Sequence, residues 1–383
     1  MELRRTKSGM KLQRMWRLAV VFAVVFTAHA AEDVPPQDAC ECVPYYLCQN
    51  DTIIDDGSFL IDIRIDGGPC ANYLDVCCGT PPLVGPPTSK PPPLDHKQGC
   101  GIRNPEGIGF RITGDQDGEA QFGEFPWMVA VLRVEQVDPP EGEESTQSLN
   151  VYQCGGSLIH PKVVLTGAHC VHGKQDIHLK IRAGEWDTQT KNEIYGFQDR
   201  DVESIVIHEN FKDKNLFNDV ALLFLTEPVD PAENIGFACL PPQNLLPAPG
   251  THCFASGWGK NLFGKEGQYQ VILKKVELPI VAHQVCQTQL RKTRLGNHFR
   301  LDSSFMCAGG EKGKDTCKGD GGSPLVCPVE NSPNQYMQSG IVAWGIGCGE
   351  NETPGVYANV ALFRNWIDAK MTAANLDHTY YSY

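Results

Sequence analysis

No stretch of this 383-residue sequence is apolar for long enough to cross a bilayer. The longest unbroken apolar run, Leu18 to Phe26, has nine residues, against the roughly 20 that a spanning helix needs. No basic cluster follows Arg17, and the formal net charge is −13, which argues against nucleic acid or an anionic membrane as a partner. There is no lipidation signal and no internal repeat. The cysteines lack the paired CxxC spacing of a common zinc site. One further absence matters most. In the run Cys317-Lys318-Gly319-Asp320-Gly321-Gly322-Ser323-Pro324, glycine and not a nucleophilic serine follows Asp320.

What is present begins with Arg4, Arg5, Lys7, Lys11, Arg14 and Arg17, then the short apolar run, then Ala28-His29-Ala30. This order predicts a secretory signal peptide over residues 1–30 and an extracellular protein. In an exported chain, 16 cysteines predict a framework of disulfides. Six of them fall within residues 39–79, a segment too small to hold itself together by a core. Residues 80–111 form a spacer and tether, proline-rich from Thr80 to Gln98. Residues 112–371 alternate short β-branched runs with Gly, Pro and Asn, as in Trp127 to Leu132 and Gly340 to Trp344, which predicts antiparallel strands. One helix is expected, Leu362 to Met371, with Phe363, Trp366 and Ile367 on one face, followed by a tail, 372–383. Asn50 and Asn351 open glycosylation sequons.

His169, in Thr166-Gly167-Ala168-His169-Cys170, and Asp219, in Asn218-Asp219-Val220-Ala221-Leu222-Leu223, have the residue types of a general base and the acid that orients it. Gly321 offers them no hydroxyl. Loss of that serine alone removes roughly a million-fold in turnover. Ser323 is a poor substitute, because a base must sit within about 3 Å of its proton and Cα atoms two residues apart are separated by roughly 5.5 to 7 Å.

These two motifs, with Phe125-Pro126-Trp127, Cys154-Gly155-Gly156-Ser157, Gly257-Trp258-Gly259 and Pro354-Gly355-Val356-Tyr357 in the same order, resemble the chymotrypsin-type serine proteases over about 260 residues. The resemblance implies an all-β fold of two six-stranded antiparallel β-barrels with a C-terminal helix. It also implies the bridges Cys154–Cys170, Cys253–Cys327, Cys286–Cys307 and Cys317–Cys348, with Cys100–Cys239 as a tether. The six-cysteine module resembles the clip domain of arthropod extracellular proteases, whose pattern implies Cys40–Cys77, Cys42–Cys70 and Cys48–Cys78. Clip module, proline spacer and a protease domain with glycine for serine together resemble the clip-domain serine protease homologues. That resemblance implies a haemolymph cofactor of melanisation whose partners are prophenoloxidase or its activating clip-domain protease. An upstream trypsin-like protease would process it, and it would form homo-oligomers after the cut.

Asp315, Gly345 and Gly355 match the floor and walls of a trypsin-like specificity pocket. Arg111-Ile112 resembles the activation junction, although the segment before Trp127 is two residues longer than the family pattern; Arg64 and Arg103 are the other candidate cut sites. Glu185 and Asn192 match a calcium-binding loop, oxygen ligands suiting that ion; no cofactor is required. The acidic segment Glu135 to Ser148 reads as a solvated loop. Three readings stay open: a scaffolding cofactor, a peptidase using the displaced Ser323, and a decoy that sequesters inhibitors.

Overall fold

The computed structural model describes residues 41–44, 48–49, 52–53, 75–78, 99–109, 118–137, 147–174, 176–189, 193–259, 269–312, 320–347 and 352–383. In the cysteine-rich module, strand β1 (Glu41–Pro44) pairs with β4 (Asp75–Cys78), and β2 (Cys48–Gln49) with β3 (Thr52–Ile53). Its three expected bridges lie outside the described residues, as does the Cys317–Cys348 bridge.

The rest forms two closed antiparallel barrels. The first runs β10-β7-β6-β5-β8-β9 from β5 (Met128–Val137), β6 (Gln147–His160), β7 (Val163–Thr166), β8 (Leu179–Ala183), β9 (Gln198–Ile207) and β10 (Ala221–Leu225). The second runs β11-β12-β13-β16-β15-β14 from β11 (His252–Gly257), β12 (Lys274–Val281), β13 (Phe305–Gly309), β14 (Pro324–Pro328), β15 (Tyr336–Trp344) and β16 (Pro354–Asn359). Side chains of a closed sheet alternate between lumen and exterior. In β8 that alternation is visible directly, Leu179, Ile181 and Ala183 being buried while Lys180 and Arg182 are half-exposed. β7, by contrast, is buried along its whole length, because its outer face is covered. Val163 and Leu165 meet Phe363, Ile367 and Met371 of the terminal helix there.

The terminal helix α3 (Val360–Ala373) extends two residues beyond the sequence expectation at each end. Phe363 and Ile367 face the core, whereas Trp366 is only partly covered and donates Nε1–H to Glu209 Oε2 at 2.8 Å. Residues 379–383 are not a free tail. Tyr381 is fully buried, donates its hydroxyl to Asp368 at 2.8 Å, and accepts Leu240 N–H on its carbonyl at 2.9 Å. Two helices were not foreseen, the single turn α1 (Ala168–Val171) and α2 (His283–Arg291). Only Cys286 and Leu290 of α2 are buried, too sparse an apolar stripe to read as a helix. The bridge from Cys286 to Cys307 of β13 pins it instead. Bridges Cys100–Cys239, Cys154–Cys170 and Cys253–Cys327 complete the described set. Among the described residues no helix is long and apolar enough to cross a membrane.

Candidate functional site

β7 delivers the chain into α1, which carries His169, and the residues before β10 carry Asp219. Asp219 is wholly buried, so its charge must be paired. It accepts the His169 backbone N–H at 2.8 Å on Oδ1 and the ring Nδ1–H at 2.6 Å on Oδ2. The ring is thereby fixed in orientation, with Nε2 pointing away from the carboxylate. Gly321 lies against that nitrogen. A Cβ built on Gly321 would stand 2.6 Å from His169 Nε2 and 3.3 Å from Cε1. The imidazole has advanced into the room that a nucleophile's side chain would need.

Ser323 is elsewhere. It is fully buried just before β14, and its Oγ fills the space where a Cβ on Gly155 would be, at 1.9 Å. Its backbone is bonded on both sides, N–H to Asp320 O at 3.0 Å and carbonyl to Val342 N at 2.9 Å. The displaced-serine peptidase finds no support in this geometry, since Ser323 is enclosed on the Gly155 side and the ring lies against position 321. Asp320 accepts Gly259 N–H at 2.9 Å. It also faces Tyr152, whose phenol is pushed well above its usual range by burial and then by the Asp320 charge.

Of the pocket residues, Gly345 is open, its nearest obstruction to a Cβ being Gly347 O at 3.8 Å. Gly355 is buried in β16 opposite Ala308. Asp315, Asn192, Arg64, Arg111, Asn50 and Asn351 lie outside the described side chains. Glu185 is buried. It accepts from Arg182 Nη1 at 3.0 Å, and the same guanidinium holds Asp199 at 2.8 Å. A protein cation thus already sits on Glu185, and a second carboxyl, Glu193, lies close enough to raise its pKa. Burial above all pushes Glu185 up to about 7. The acidic segment is partly strand, β5 and β6 pairing out to Val137 opposite Gln147.

Arg103 requires a correction. A cut site must present an accessible, extended Arg, but the Arg103 side chain is only 11% exposed and bonded to a fully buried Glu124. Its guanidinium carbon lies 3.9 Å from the Phe254 ring centre, and Nη1 donates to Tyr336 Oη at 3.3 Å. Its N–H bonds Asn334 O at 2.8 Å, and the next N–H bonds Glu124 O at 3.1 Å. Arg103 is a clamp that seats the tether on the barrels.

Residues 116–367 match the family model described as Trypsin, and residues 29–79 match the one described as Serine protease Clip domain PPAF-2. The chain belongs to the clip-domain serine protease homologues. It is 61% identical over 301 residues to Phenoloxidase-activating factor 2 of Galleria mellonella, covering 78% of this chain and 97% of the relative. It is 35% identical over 383 residues to Inactive CLIP domain-containing serine protease A28 of Anopheles gambiae, covering 94% and 97%. To Inactive CLIP domain-containing serine protease A8 of the same mosquito it is 36% identical over 335 residues, covering 86% and 87%. Two of these relatives are named inactive, and in this chain the His169–Asp219 pair stands assembled beside Gly321.

Proposed function

We propose that this chain is a secreted, non-catalytic cofactor of prophenoloxidase activation in haemolymph, working after proteolytic processing by a trypsin-like protease. The observation that carries the reading is the space at position 321: a base and its orienting acid are in place, and the atom they would activate is absent with its room taken by the ring. Acyl transfer needs that nucleophile. A well-built domain without chemistry acts by binding. The relative sharing 61% identity carries the name of a phenoloxidase-activating factor, which supports prophenoloxidase or its activating clip-domain protease as the partner. Since Arg103 is clamped, the cut falls at Arg64 or Arg111; Cys100–Cys239 holds the products together after a cut at Arg111, and the clip bridges implied by the family, Cys40–Cys77, Cys42–Cys70 and Cys48–Cys78, do so after a cut at Arg64. The homo-oligomer implied by the family belongs to this processed form. Neither calcium nor any other cofactor enters the proposed action.

Reconstitution tests the reading. Precursor, processing protease, prophenoloxidase and its activating protease are combined, and phenoloxidase activity is followed. The cut chain is expected to raise activity that the activating protease alone does not produce. If the cut chain leaves both the activity and the phenoloxidase assembly unchanged, the decoy reading replaces this one.

A further inference from the structure

The free nitrogen of the His169–Asp219 pair meets no hydroxyl at position 321, but it does meet a sulfur. His169 Nε2 lies 3.5 Å from Cys170 Sγ, one half of the bridge to Cys154. One donor atom from each of Cys154, His169 and Cys170 falls within 4.8 Å of the other two. Among the described bridges this is the one in hydrogen-bond contact with an imidazole. The ring is held there, since Asp219 accepts its Nδ1–H at 2.6 Å and the backbone N–H of the same residue at 2.8 Å. Lys174 brings a second cation to the sulfur's own residue, its Nζ donating to Cys170 O at 2.8 Å. A thiol beside His or Lys cations ionises at roughly 3.5–7.5 instead of about 8.5, because the thiolate is stabilised.

The two sulfurs are not equivalent. Gly322 backs Cys170 Sγ so closely that a Cβ there would stand 2.9 Å from it. Cys170 is 1% exposed and Cys154 5%, so an incoming thiol reaches Cys154. The cluster meets solvent through the His169 side chain, which is 23% exposed. Opening the bridge leaves the hairpin that it closes in place, because β6 and β7 stay paired from Ser157 opposite Leu165 to His160 opposite Val163, and β7 is buried along its length. We propose that Cys154–Cys170 is a thiol-exchange site, opened by a dithiol at Cys154 with Cys170 as the leaving group paired to His169. One thiolate of the dithiol attacks Cys154 Sγ, a new S–S bond forms there, and the old S–S bond breaks. Its electron pair stays on Cys170 Sγ, facing His169 Nε2, which is protonated from solvent while Nδ1–H remains on Asp219. Leaving groups of lower pKa depart faster. The second arm of the dithiol then attacks its own sulfur in the mixed disulfide and expels Cys154 as a thiolate. The dithiol is oxidised by two electrons to its cyclic disulfide, and the bridge is reduced. No peptide bond enters these steps, in which the domain is modified and acts on no substrate. The site lies beyond the cofactor reading and does not rest on it.

The test treats the folded full-length precursor with limiting dithiothreitol at neutral pH, quenches at intervals, labels the freed thiols and reads each cysteine by peptide mass spectrometry. Cys154 and Cys170 are expected to become labelled at least about tenfold faster than the cysteines of Cys100–Cys239, Cys253–Cys327 and Cys286–Cys307. His169→Gln should slow this bridge at least about tenfold and leave those three unchanged. A second measurement needs no variant. In the opened parent protein, iodoacetamide at pH 6 should alkylate Cys170 at least about tenfold faster than Cys154, because Cys170 alone is kept as a thiolate by the ring. Opening no faster than the other three bridges, opening as fast in His169→Gln, or equal alkylation of Cys154 and Cys170 at pH 6 would each overturn the proposal. None of these outcomes bears on phenoloxidase activation, so the reconstitution assay continues to judge the cofactor reading by itself.

Discussion

Replacing Gly321 by serine restores the missing atom but not the site. The new Cβ would stand 2.6 Å from His169 Nε2, where ordinary contacts begin near 3.5 Å, so the ring must retreat by roughly 1 Å. It is held by a 2.6 Å bond from Nδ1 to a buried carboxylate and by a 2.8 Å bond from its own backbone N–H to the same group. Rotation off its rotamer costs about 0.5–1.5 kcal/mol, a small toll on stability. The catalytic toll is larger. A misplacement of about 1 Å between reacting groups costs roughly 100-fold in rate. The expected outcome for processed G321S is folding and secretion like the parent, with kcat/KM on Arg-containing peptide amides at least about 100-fold below that of an active clip-domain protease. The assay is steady-state amidolysis, with covalent phosphonylation to count competent sites. Activity within tenfold of the active enzyme would refute the reasoning and show that the ring yields freely.

Arg103→Ala removes a cation from a buried carboxylate and from three aromatic faces while Lys275 still holds Glu124 at 3.0 Å. A loss of about 2–3 kcal/mol is expected in denaturant unfolding, below the full cost of an orphaned buried charge because of that second lysine. Glu185, with a folded pKa raised from 4.5 to about 7, contributes stability that is fully present below pH 4.5 and is lost as pH rises through 7. This term amounts to at most roughly 3 kcal/mol; E185Q should flatten the fall in unfolding free energy over that window, and an unchanged profile would remove Glu185 as its source. Tyr381→Phe loses the hydroxyl bond to Asp368. It should cost about 0.5–1.5 kcal/mol, more if Asp368 is left unsatisfied, while Tyr381→Ala empties a fully buried site and costs about 3–5 kcal/mol by the same measurement.

Chemistry with strict geometric demands was readable in the sequence, because His169, Asp219 and the GDGGSP loop sit in short motifs whose residue types carry the function. Barrel strands were readable from runs such as Trp127 to Leu132 and Gly340 to Trp344. What escaped depends on partners distant in the chain. Arg103 read as a free basic residue because Glu124 and Phe254, which enclose it, are 21 and 151 positions away. α2 was missed because a disulfide, not an apolar stripe, secures it. Residues 372–383 read as a tail because a single buried tyrosine leaves no periodic signal. The advance of the His169 ring into the space at 321 follows from Gly321 but is visible only in three dimensions.

The central claim is that this domain works without a nucleophile. It is tested most directly by treating the processed chain with excess phosphonofluoridate, removing the reagent, and measuring phenoloxidase development with prophenoloxidase and its activating protease. The account predicts no mass adduct and cofactor activity equal to that of untreated protein. A stoichiometric adduct at Ser323 accompanied by loss of activity would contradict it.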